Sequence, residues 1–111
     1  MALVGTAKQT PGFADVFGGR FFNTIDYTGV TSYLNGTGEL LDPHMFGFQN
    51  TIECIIDVSL SQNGSYYAQA QPVNSGVTKW YLRWFAVATG QEVTNTTNLS
   101  AAVVRISAIG Y

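Results

Sequence analysis

The 111 residues suffice for one domain, since domains typically run about 100–150 residues, and a hydrophobic content of 46% with 14% aromatics can form a core without staples. Only 11% of the residues are charged, against about 25% in average soluble domains, which excludes disorder driven by charge repulsion and leaves Ser, Thr, Asn, Gln and Gly to supply the exposed surface. Soluble monomers usually carry more charge, so this surface suits a chain packed against copies of itself or against a larger assembly.

The formal net charge is −2, and the five basic residues, Lys8, Arg20, Lys79, Arg83 and Arg105, are scattered. Neutralising a run of phosphates needs a basic stripe, so nucleic acid is not an expected partner. The single cysteine, Cys54, excludes an internal disulfide framework and any multi-cysteine zinc site. No signal-peptide pattern opens the chain and no apolar run approaches about 18 residues. The expectation is a product made soluble in the cytoplasm, with no membrane span.

In chain order, residues 1–19 mix isolated apolar residues with Gly, Thr and Pro11 and show no sustained period. They are predicted to form an extended N-terminal arm, with at most a short strand, ahead of a domain over 20–111. Its apolar residues, Leu3, Val4, Phe13, Val16 and Phe17, need burial somewhere, and a neighbouring subunit is the expected place. FFNTIDY (21–27) reads as a strand with Phe21, Asn23, Ile25 and Tyr27 on one side. Within GTGELLDPHMFGF (36–48), Asp42 is placed to cap one helical turn begun at Pro43.

TIECIIDVSL (51–60) alternates, which predicts a half-buried strand with Ile52, Cys54, Ile56, Val58 and Leu60 facing the core. Asn63-Gly64 is a strong hairpin signal, so SYYAQAQPV (65–73) is expected to pair back onto it. NSG (74–76) turns the chain into VTKWYLRWFAVA (77–88). There Trp80, Leu82 and Trp84 share one face and Tyr81, Arg83 and Phe85 the other. TGQEVTNTTNLS (89–100) is a polar connection, and AAVVRISAIGY (101–111) is a strand with Val104, Ile106 and Ala108 on one side. Short strands separated by turn signals predict an all-β fold: an antiparallel β-sandwich, jelly-roll-like, with one short helical turn near 43–48.

Candidate chemistry is sparse. His44, the only histidine, could act as base to Cys54, but a cysteine expected in an apolar core is inert. Glu53 and Asp57 share a predicted strand face about 13 Å apart, too far for a glycosidase pair. The other acids, Asp15, Asp26, Glu39, Asp42 and Glu92, form no constellation. The GTG at 36–38 lacks the third glycine and long helix of a dinucleotide site and reads as a turn. The sequons at Asn35, Asn63, Asn95 and Asn98 carry little meaning without a secretion signal. No active site, cofactor site or metal site is expected. Aromatic residues on an exposed β-face could stack sugars, which keeps a carbohydrate-binding module as an alternative.

The stretch IDYTGVTSYLNGTGELLDPHMFGFQNTIECI resembles a pattern in small structural proteins of tailed bacteriophages. That pattern has an aromatic or Thr-rich strand, a linker of TGGE-L-P-GL type, and a strand opening near Ile. The ending EVTNTTNLSAAVVRISAIGY is similar to the same family's tail, in which E-V-P/T-N-T-T-D-L-S leads to an apolar strand closing in AIG. The resemblance spans about residues 20–111 and is most specific over 36–48 and 92–110. SQNGSYYAQAQPV replaces the aromatic-Asp turn and GKL hairpin often seen mid-family, and 74–88 is unusually aromatic.

The resemblance implies a non-enzymatic virion protein that decorates or cements the outer capsid surface. Its partner would be the major capsid protein. The weakly charged surface adds an expectation of self-association, as a homotrimer suited to capsid three-fold axes; the alternative is a carbohydrate-binding or tail/fibre module. The candidate interface residues are Tyr81, Arg83 and Phe85, with Leu3, Val4, Phe13 and Phe17 of the arm. Aromatics and Arg are the types enriched at interface hot spots.

Overall fold

The computed structural model describes residues 5–9, 15–17, 19–59, 64–75 and 77–111. The strands are β1 (Thr6–Gln9), β2 (Asp15–Phe17), β3 (Arg20–Thr28), β4 (Glu39–Leu41), β5 (Ile52–Val58), β6 (Tyr66–Ser75), β7 (Val77–Ala86) and β8 (Val103–Gly110). All pairings are antiparallel. One sheet has the order β1-β3-β8-β5, with β2 also on β3, and the second the order β4-β7-β6. The pairs β3·β8 and β4·β7 are nested, so the chain runs out and back as one long hairpin rolled into two layers. That is the winding of a jelly roll.

Side-chain alternation decides what lies between the layers. β3 contributes Ile25 and Tyr27, and β8 contributes Val104, Ile106 and Ala108. Facing them are Leu41 of β4, Ala68 of β6, and Leu82 and Trp84 of β7, all buried. Small residues oppose large ones across the β6–β7 ladder, Ala68 against Trp84 and Ala70 against Leu82, which lets the two layers close at interior density. The 3-10 turn at Pro43–Phe46 is capped as predicted: the Asp42 carboxylate accepts the His44 N–H at 2.9 Å. It closes one end of the core with Phe46 and Phe48, whose rings stack at 5.6 Å. Trp80 ties the layers together there, its Nε1–H donating to the Ile52 carbonyl at 3.0 Å.

Three expectations need correction. Residues 6–9 and 15–17 are not a free arm: they run along the outer edge of β3, Thr6 opposite Thr28 and Phe17 opposite Arg20. Backbone pairing to an otherwise open edge holds them, and hydrophobic periodicity is blind to that. Leu3, Val4 and Phe13 lie outside the described residues. Second, Asn63-Gly64 does not close a hairpin. β5 pairs with β8 and β6 with β7, in different sheets. β6 and β7, consecutive in the chain, pair in one sheet, with Ser75 opposite Val77; Leu60, Asn63 and Gly76 are outside the described residues.

Third, the alternation in β5 is broken. Its register slips between Ile52 and Cys54 and again between Ile55 and Asp57. Bulges shift a strand's facing by one residue each time. Ile52 therefore stays buried and Ile55 packs against the core, while Cys54 and Ile56 turn outward, Ile56 being 49% exposed. Ile56→Asp is accordingly a surface change, expected to alter unfolding free energy by no more than about 0.5–1 kcal/mol. Ile106→Ala, at a fully buried position, should cost about 2–5 kcal/mol. Urea denaturation of the two variants checks the facing of β5 directly.

One acid sits in the core. Glu39 opens β4 with no exposed surface, because its register places it beside Leu82 on the inward face. Tyr27 Oη donates to Glu39 Oε1 at 2.8 Å and in turn accepts the Gly5 N–H at 2.7 Å. Glu39 Oε2 and Trp84 Nε1 are both buried without a hydrogen-bond partner. Burial dominates, and it raises the carboxyl to about 7, partly opposed by Tyr27, Trp84 and the Val30 amide. Burial beside this acid also raises the Tyr27 phenol.

Below pH about 4.5 the carboxyl is neutral in both the folded and the unfolded chain. As pH rises towards 7 the unfolded chain releases the proton first, so folding stability falls, and it levels off above about 7. The loss is on the order of 3 kcal/mol at 1.36 kcal/mol per unit. Glu39→Gln should remove this slope, so that the variant gains on the wild type between pH 4.5 and 8 in denaturation experiments.

Candidate docking face

The outward side of the β4-β7-β6 sheet is built by the same alternation that fills the core. With Leu82 and Trp84 facing in, Tyr81, Arg83 and Phe85 face out. Each stands opposite a residue of β6: Tyr81 with Gln71, Arg83 with Gln69, Phe85 with Tyr67. Leu40 of β4 flanks Tyr81. Tyr67 and Phe85 stack with centroids 5.3 Å apart and planes 18° from parallel. The face thus has an aromatic platform at one end, an amide and guanidinium row in the middle, and Tyr81 with Leu40 beyond. Val73, 45% exposed, lies opposite Lys79 at the far end. Both charges on the outer rows of β6 and β7 are positive.

Arg83 is held in place. Its Nη2 donates to the Gly36 carbonyl at 2.7 Å, and its Nε is buried without a partner. The loop that supplies the carbonyl is fixed by glycine geometry: Gly36 and Gly38 have φ of 84° and 80°, the left-handed region that costs glycine nothing. A Cβ on Gly38 would sit 2.7 Å from the Leu82 carbonyl and 3.1 Å from Arg83 Cγ. The loop therefore lies directly on β7.

A second loop locks the first. Glu92 Oε2 accepts the Tyr33 hydroxyl at 2.7 Å and the Gly36 N–H at 2.9 Å. Asn35 donates its N–H to Asn95 Oδ1 at 2.7 Å and its amide to the Val93 carbonyl at 2.8 Å. Burial and the bond to Glu92 raise the Tyr33 phenol, so it stays a donor. Residues 35–38 and 92–95 are thus one hydrogen-bonded cluster beside Arg83 and Phe85.

Of the residues expected at an interface, Tyr81, Arg83 and Phe85 come together on this face. Phe17 ends β2 in the other sheet, and Leu3, Val4 and Phe13 are outside the described residues. Tyr67, Gln69 and Gln71 were missed, although the small-large alternation of YYAQAQPV, with Ala68 and Ala70 inward, carried the signal. His44 Nδ1 lies 2.9 Å from Asp42 Oδ1, but that carboxylate is already the cap of the helical turn. Among the described residues no three His, Cys, Asp or Glu side chains cluster as metal ligands, and no helix is long and apolar enough to cross a membrane.

No protein-family model matches the chain, and comparison with curated proteins and with solved structures finds no relative.

Gly38→Ala tests the clasp. The side chain must push against the Leu82 carbonyl, at an expected cost of about 2–3 kcal/mol including backbone strain. Gly36→Ala, with open space around the added methyl, should cost only about 1 kcal/mol. Thermal unfolding of both variants compares the two positions.

Proposed function

We propose that the protein is a non-enzymatic virion structural protein of a tailed bacteriophage. It decorates or cements the outer capsid surface by laying the outward, half-buried face of the β4-β7-β6 sheet on the lattice of the major capsid protein. The observation that carries the reading is the outward row Tyr81, Arg83 and Phe85, backed by Tyr67, Gln69 and Gln71. Aromatic side chains lose little conformational entropy on contact, and an anchored guanidinium is pre-organised for carbonyl or carboxylate partners. The family resemblance and the low charge of the whole chain support the same reading. A capsid-bound sandwich uses two apolar surfaces, one between its layers and one against its partner.

A carbohydrate-binding or tail/fibre module is the second reading, favoured by one feature. The Tyr67–Phe85 platform beside two glutamines and an arginine offers a ring face and polar donors, which is what a sugar needs.

Tyr81→Ala combined with Phe85→Ala should weaken binding to intact heads at least tenfold while moving the melting temperature by no more than a few degrees. Interface truncation costs affinity, whereas core truncation costs stability. Co-sedimentation with purified heads measures the first and calorimetry the second. Unchanged head binding with lost retention on a glycan matrix would transfer the face to the second reading. A collapse in melting temperature with head binding retained would assign the face a structural role.

A further inference from the structure

A sheet edge exposes backbone N–H and C=O groups that recruit another strand unless something prevents it. The edges of this sandwich are treated unequally. β1 and β2 have four and three residues and β4 three, too short to template a partner. β5 has seven residues but two register slips, and it exposes Glu53 and Asp57. β6 has ten residues, pairs with β7 at every position without a slip, and contains no charge. Its other side has no strand partner among the described residues. Pro72, which withdraws one N–H, is its single protective device.

We propose that β6 pairs antiparallel with β6 of a second copy across a two-fold axis centred on Ala70, joining two three-stranded sheets into one of six strands. The strand is complementary to itself in that register. On the outer face Tyr67 meets Val73 of the second copy, an aromatic against a β-branched residue, and Gln69 meets Gln71, amide to amide. Such cross-strand pairs are favourable. On the inner face Ala70 meets Ala70 and Ala68 meets Pro72, whose missing N–H removes one ladder hydrogen bond on each side of the axis, so the pairing rests on the remaining bonds. No like charges oppose one another, which an uncharged strand alone guarantees for self-pairing. The apolar surface of Val73, 45% exposed in the single chain, is covered by the partner's tyrosine. The interface is isologous, so it closes at two copies instead of propagating. Two docking faces would then lie side by side in one sheet.

Sedimentation velocity on the isolated protein tests this without any capsid, and so apart from the docking proposal. The expected species is a concentration-dependent dimer. Hydrogen exchange should show amides of residues 66–75 gaining protection as concentration rises, with those of β5 unchanged. Gln69→Glu with Gln71→Glu places carboxylates opposite one another in the proposed register and should weaken the dimer at least tenfold. Within the chain the new residue at 69 still faces Arg83. Mixing that variant with one carrying Gln69→Lys and Gln71→Lys should restore a heterodimer. A monomer at every concentration, a trimer, protection on β5 instead of β6, or no rescue in the mixture would each overturn the proposal. Should a variant fail to fold, the exchange pattern of the wild-type chain decides alone.

Discussion

Everything on the functional side depends on the pleat of β7. Its alternate residues must point to opposite faces, and a three-stranded sheet in a two-layer sandwich has only one face to bury. Trp84 and Leu82 occupy that face fully, so Phe85, Arg83 and Tyr81 are committed to the other by geometry alone. No rotamer choice could bring both rows inside. The loops then adapt to the outward row: Gly38 lets the chain lie against β7, Gly36 offers its carbonyl to Arg83, and Glu92 pins the loop from the far side.

Much of this was legible in the sequence because β3, β7 and β8 are regular. Unbroken strands obey period two, so the burial of Ile25, Tyr27, Leu82, Trp84, Val104 and Ile106 follows from reading every second residue. The Asp42-Pro43 cap was equally legible, since it depends on chemistry spanning only two positions. The outward row on β7 came from the same rule, and its neighbours on β6 were legible only in the small-large alternation of YYAQAQPV.

What escaped the sequence was decided by distant partners. The slips in β5 answer to β8, some fifty residues away, and nothing local to TIECIIDVSL announces them. Asn63-Gly64 is chemically suited to a tight hairpin, but the nested pairing of β3 with β8 and β4 with β7 sends β6 to the other layer. Glu39 is the clearest case. It looks like an ordinary surface acid beside two leucines, yet the β4 register turns it inward and Tyr27, Trp84 and Gly5 close around it. A buried acid leaves no periodic signature, because one polar residue in a short strand reads as the outward face.

The place of β8 has a consequence for how the molecule comes into being. Residues 103–110 form the middle of the larger sheet, between β3 and β5, although both neighbours precede them by more than forty residues. During synthesis β3 and β5 therefore emerge long before the strand that joins them, and the edge each offers to β8 has nothing to pair with. The larger layer cannot assemble progressively behind the ribosome, since long-range pairings wait for their last member. A nascent chain interrupted between β5 and β8 holds β5 without its sheet partner and β3 with one edge open, a form prone to unwanted pairing. Translation through this strand is thus the event that commits the chain to its fold.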